Sequence, residues 1–163
     1  MLRTTNQFVH VLQVYEGMVL DGIRDERLLF LALIHDLGKL LSLFGEDDAN
    51  VDGLNERVLT PGTPGGGMES VVTTWNHDEF GYQKLAPYLP RDLAWVVRWH
   101  SFSPLVSGDA EAWLTDEERA WLPTLRTLFE YDHKTKSYWR VPDVDYDACR
   151  RLVATFLPPE VVF

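Results

Sequence analysis

Residues 28–44 read LLFLALIHDLGKLLSLF. Apolar residues fill almost every position, so the stretch, as a helix running from about 26 to 43, is apolar nearly all round and belongs at the centre of a fold. Within it sit His35 and Asp36. A carboxylate among leucines needs a cation, a metal or several donors. One reading pairs Asp36 with Lys39 one turn later. The other turns the adjacent His35 and Asp36 toward one metal ion, which requires a local distortion of the helix.

Outward from this core, helical patterns continue in both directions. Upstream, Phe8, Val11, Leu12, Tyr15, Met18 and Val19 keep helical spacing, and Asp21-Gly22 ends that helix. Downstream, residues 45–67 are rich in Asp, Asn, Gly and Pro and read as a long loop, with Gly62 to Gly67 as a flexible hinge or tip. A third helix is expected from about Met68 through WNHDEFGYQKL, closed by Pro87 and Pro90. A fourth covers 92–100. Thr115 and Glu118 form a capping-box pattern that opens a fifth helix, running past Pro123 to about 134. A last helix covers about 145–156. No stretch alternates with period two, so the fold class is all-α. With 163 residues, no linker and no repeat, the expectation is a single domain over 1–163.

The bulk composition narrows the function. An apolar share of 45% suits a folded globule. A formal charge of -10, from 15 basic and 25 acidic residues, argues against nucleic acid as partner. Cys149 is the only cysteine, so any metal must be held by nitrogen and oxygen. No apolar run can span a bilayer, and the first ten residues lack a signal-peptide core. The expectation is a cytoplasmic monomer with no membrane partner.

Chemistry concentrates in the histidines. Of His10, His35, His77, His100 and His133, the first four lie in apolar helical contexts. One such residue is ordinarily a hydrogen-bonded core histidine. Four on successive helices would be costly to bury separately, and a shared metal satisfies them together. Asp78 and Glu79 follow His77, and one of them can fix an imidazole tautomer from behind. His100 alone is readable as a helix C-terminal histidine, and Asp132 alone as a solvated acid. Other chemistries fail: Glu130 and His133 give one Glu-x-x-His pair with no second copy, the glycine-rich stretch lacks the Lys-Ser/Thr of a phosphate loop, and there is no G-x-S-x-G elbow.

The order His…His-Asp…Asp on helices resembles the HD-domain superfamily. The segments FVHVLQVYEGM, LIHDLGKLLSLFGE, TTWNHDEFGYQ, VVRWHSFSPLVSG and LFEYDHKTK resemble one branch of it, the myo-inositol oxygenases, in the family's order and over most of the chain. The resemblance implies an HD-domain helical bundle with metal ligands from five helices. His10, His35, Asp36 and Asp132 would hold one iron, and a bridging Asp36 with His77 and His100 the second. It implies an Fe(II)/Fe(III) pair, O2 as co-substrate, and oxidation or C–C cleavage of a polyol, inositol to glucuronate being the family reaction. Lys39, Ser101 and Lys136 match substrate-binding positions, with Lys39 and Asp36 also in the catalytic set. Only nine residues precede His10, the loop from Glu46 to His77 is short for the family, and its Gly-Asp substrate contact has no clear match near Asp52-Gly53-Leu54-Asn55. A wider or differently shaped pocket is therefore expected. Two other readings use the same residues: a metal-dependent phosphohydrolase of nucleotides or phosphate esters, and a non-catalytic metal-binding domain.

Overall fold

The computed structural model describes residues 6–52, 57–135 and 141–163. Helix α1 (Gln7–Leu20) begins at Asn6, whose side chain accepts from the Val9 N–H. It ends where Gly22 takes a left-handed conformation (φ 85°) and Ile23 N–H reaches back to the Met18 carbonyl. Helix α2 (Glu26–Ile34) is capped by Asp25 and buries every residue from 28 to 34. It packs against α1, against α5 (Arg91–Trp99), against α7 (Asp116–Lys134) and against α8 (Tyr146–Phe156). This is the central helix expected from its apolar circumference.

The expected single helix over 26–43 is, however, two segments. At His35 the chain tightens into a 3-10 helix, His35–Phe44, closed by Gly45 at φ 79°. Three residues per turn place side chains i and i+3 in line. The segment therefore has three stripes. His35, Gly38 and Leu41 are buried, Asp36, Lys39 and Ser42 form a polar stripe, and Leu37, Leu40 and Leu43 form an apolar one whose last member is 77% exposed. The buried stripe seats on α4 (His77–Leu85). Contact there is so close that a Cβ on Gly38 would come within 1.9 Å of the His77 carbonyl oxygen.

The long loop carries more structure than its composition suggests. It contains the short helix α3 (Asp48–Val51) and strand β1 (Val58–Thr60), which pairs antiparallel with β2 (Val72–Thr73). The third helix accordingly does not start near Met68. Met68–Ser70 is one 3-10 turn, and the helix begins only at His77, behind the Asn76 cap. The extended residues between are fixed by cross-strand pairing, a long-range effect. The glycine-rich stretch is not a free hinge either. Gly65 and Gly67 donate to the carbonyls of Ala112 and Trp113, and a Cβ on Gly62 would strike the Trp113 ring at 2.7 Å.

Helix α6 (Ser103–Ser107) follows α5. The capping box at Thr115 and Glu118 is present, and α7 continues through Pro123. The fold is predominantly all-α, with one small two-stranded sheet among the described residues. No helix there is long and apolar enough to cross a membrane.

Candidate metal centre

Five elements deliver side chains to one buried point. His10 comes from the second turn of α1, and His35 and Asp36 from the first turn of the 3-10 segment. His77 opens α4, His100 caps the C-terminus of α5, and Asp132 lies in the last turn of α7. All six are buried, none more than 7% exposed. The imidazoles form a chain, with ring centroids 5.6 Å apart for His10–His35, 5.1 Å for His35–His100 and 5.4 Å for His100–His77.

Asp36 sits between the two ends of that chain. Its Oδ2 lies 3.5 Å from His10 Nε2 and 3.6 Å from His35 Nε2, and its Oδ1 lies 3.6 Å from His77 Nε2 and 3.5 Å from His100 Nε2. The two triads His10–His35–Asp36 and Asp36–His77–His100 each bring their ligand atoms within 4.8 Å of one another, as a metal ion requires. Asp132 Oδ1 joins the first triad, 2.7 Å from His10 Nε2 and 3.7 Å from His35 Nε2.

The donor atoms are set up for a cation. His35 Nδ1 lies 3.1 Å from the Ala32 carbonyl and His100 Nδ1 lies 2.8 Å from the Val97 carbonyl. A carbonyl only accepts, so each Nδ1 carries a proton and, in the neutral ring, each Nε2 presents a lone pair to the centre. Among the described residues, His35 Nε2 is buried without a hydrogen-bond partner, while His10 Nε2 and Asp78 Oδ1 each face one opposite group, Asp132 Oδ1 at 2.7 Å and His77 Nε2 at 2.9 Å. Imidazole nitrogens and carboxylate oxygens converge on this point in a number that pairing among themselves does not use up, and a shared cation would satisfy them together. Four imidazoles and carboxylates, with no thiolate, suit a divalent or trivalent transition metal.

Electrostatics point the same way. Burial would push the Asp36 carboxyl up, but His35, bonds from His100 and His77, and Lys39 outweigh it and hold it well below the usual carboxylate range. The same contest lowers Asp78, through His100, His77 and Ser101. Burial opposes charge on His77 and His100 too, yet the Asp78 and Asp36 carboxylates raise both, His77 from 6.5 to about 9. In the metal-free protein, protons on the imidazoles balance charge that a cation would otherwise balance.

The six residues singled out in the sequence thus lie together, and His133 stands apart, half-exposed and held by the Phe129 carbonyl. The Asp36–Lys39 ion pair exists as well: Lys39 Nζ donates to Asp36 Oδ2 at 2.8 Å and to Gln7 Oε1 at 3.3 Å. Ser101 is buried beside His100, and its hydroxyl donates to Asp78 Oδ2 at 2.6 Å. Lys136 lies outside the described residues, as does most of the ambiguous stretch near Gly53. Asp78 corrects the sequence reading. It does not hold an imidazole from behind. Its Oδ1 lies 2.9 Å from His77 Nε2 and 3.5 Å from His100 Nε2, on the inward side of both rings. Its place directly after His77 was the available signal, but only the start of α4 at His77 turns it inward.

The family model described as myo-inositol oxygenase matches residues 49–163, a span that includes His77, His100 and Asp132. Inositol oxygenase 2 of Arabidopsis thaliana is 32% identical over 80% of this chain and 52% of its own length. The probable inositol oxygenase of Oryza sativa subsp. japonica is 31% identical over 83% of this chain and 55% of its own length. Human inositol oxygenase is 29% identical over 83% and 59%. The chain spans about half the length of these curated relatives. Family match and helical architecture agree, and the chain belongs to the myo-inositol oxygenase family.

Proposed function

We propose that this protein is a non-haem di-iron oxygenase that uses O2 to oxidise, or cleave a C–C bond of, a hydroxylated small molecule, as the names of its relatives suggest for inositol. The observation that carries this reading is Asp36, whose two oxygens face two separate histidine pairs. His10, His35, Asp36 and Asp132 would hold one iron, and Asp36, His77 and His100 the other. A mixed-valent Fe(II)/Fe(III) pair, when bound, supplies one-electron chemistry toward O2 and Lewis acidity toward a hydroxyl.

The chain's own residues do the rest. Lys39 spends two of its three donors on Asp36 and Gln7. The third can bind a substrate oxygen, and the ammonium charge favours that oxygen as its proton leaves. The Ser101 proton is committed to Asp78, so Ser101 would meet a substrate hydroxyl as acceptor. Lys136 is proposed as a second cationic substrate contact. Burial of all six ligands limits bulk water at the reacting atoms. We place the protein in the cytoplasm as a single-domain monomer.

Metal analysis tests this reading. The protein purified without added metal should contain about two irons per chain, give a mixed-valent EPR signal after partial oxidation, and consume O2 with a polyol panel. Zinc, manganese or magnesium in their place, with phosphatase turnover and no O2 uptake, would assign the centre to hydrolysis instead.

A further inference from the structure

A groove of about 890 Å³ opens beside the metal centre, within the size range of small-molecule sites. At one end it reaches Gln7, Asp36 and Lys39, the hydrogen-bonded group described above. Away from that end it runs between α1, the 3-10 segment and α8, and its walls are dominated by Phe8, Val11, Leu40, Leu43, Val153 and Leu157, with Ser42, Tyr146 and Arg150 carrying polar groups. The apolar stripe of the 3-10 segment, Leu37, Leu40 and Leu43, lines it throughout. Phe8, 61% exposed, stacks on Tyr146 at its wall.

A small polyol does not match this shape. A six-membered ring bearing hydroxyls on all sides would fill only a fraction of the volume, and the aliphatic walls would offer its hydroxyls no hydrogen-bond partner. The groove asks for polarity at one end and apolar surface along the remainder. Resting on the di-iron reading above, we infer that the substrate is amphipathic: a vicinal diol or similar hydroxylated head at Asp36 and Lys39, carrying an alkyl or aryl tail that lies along α8 and the Leu37–Leu40–Leu43 stripe. The continuity of the groove with Asp36 argues for a small molecule that reaches the metals.

The test is calorimetric binding of a homologous series, propane-1,2-diol through octane-1,2-diol, to the anaerobic iron-loaded protein, with myo-inositol alongside and EPR recorded for each. The expected result is a Kd that falls about fourfold per methylene, as burial of ~0.8 kcal/mol per CH2 requires, with each diol perturbing the iron signal. Ala154→Trp at the open rim of the groove and Val153→Gln inside it should each flatten that dependence without changing iron content. A Kd independent of chain length overturns the inference even if the iron centre responds to every diol. The same flat result in a protein that elutes as a dimer gives the groove to a second copy of the chain. Tighter binding of longer diols by a protein that takes up no iron keeps the amphipathic ligand and removes the redox reading.

Discussion

At the scale of single residues, Asp36 is the position on which the centre turns. Because its two oxygens serve both histidine pairs, Asp36→Ala should empty both metal positions together, from about two irons per chain to near none, as measured by mass spectrometry. Retention of one iron would show that the two positions are independent. The pH behaviour follows from His77, whose pKa rises from 6.5 to about 9 in the metal-free fold. A raised imidazole stabilises the metal-free fold fully below about pH 6.5, and that contribution is lost as pH climbs through 9. Metal must displace the same proton, so apparent metal affinity should rise with pH across the same window. Chelator competition at several pH values measures the second trend, and urea unfolding of the metal-free protein measures the first. A flat affinity profile would mean that His77 does not bind metal.

Among the elements, the contact between the 3-10 segment and α4 sets the spacing of the two triads. Gly38 allows it, since any Cβ there would overlap the His77 carbonyl. Gly38→Ala should cost about 3 kcal/mol through overpacking and reduce metal content by shifting His77, read by thermal unfolding and iron analysis. A variant of normal stability and iron content would show that α4 can retreat freely. A second joint lies far from the metals. Buried Glu118 accepts from Met68 N–H and Trp95 Nε1 on one oxygen and from Thr115 N–H and Oγ1 on the other, tying α7 to α5 and to the turn before β2. Glu118→Gln turns an NH2 toward two of those donors and should lower unfolding stability by about 3 kcal/mol, while iron stoichiometry stays the same.

For the whole molecule, metal binding and folding are coupled. Seven buried titratable groups, the six proposed ligands and Asp78, meet at the junction of five elements. A cation that binds only the folded chain adds about 2.7 kcal/mol at a hundred times its Kd, on the order of 5–10 °C in Tm for a domain of this size. Calorimetry of iron-loaded and chelator-stripped protein should show that difference, and an equal Tm would mean that no metal is held by the folded state. The helical class and the central position of residues 28–34 were legible in the sequence, because a helix apolar on every side has only one place to go. The four histidines and Asp36 were legible as a group, because imidazoles and a carboxylate in apolar helices need a common partner, whereas Asp132 joined them only through the family resemblance. Tertiary structure alone decided three things. It tightened the chain at His35 into a 3-10 helix, which stripes Leu37, Leu40 and Leu43 along an open groove. It delayed α4 until His77 by pairing β1 with β2, which turned Asp78 inward. It pressed Gly38 against the His77 carbonyl, which sets the distance between the triads. Each depends on contacts between residues far apart in the chain, and local periodicity carries no record of them.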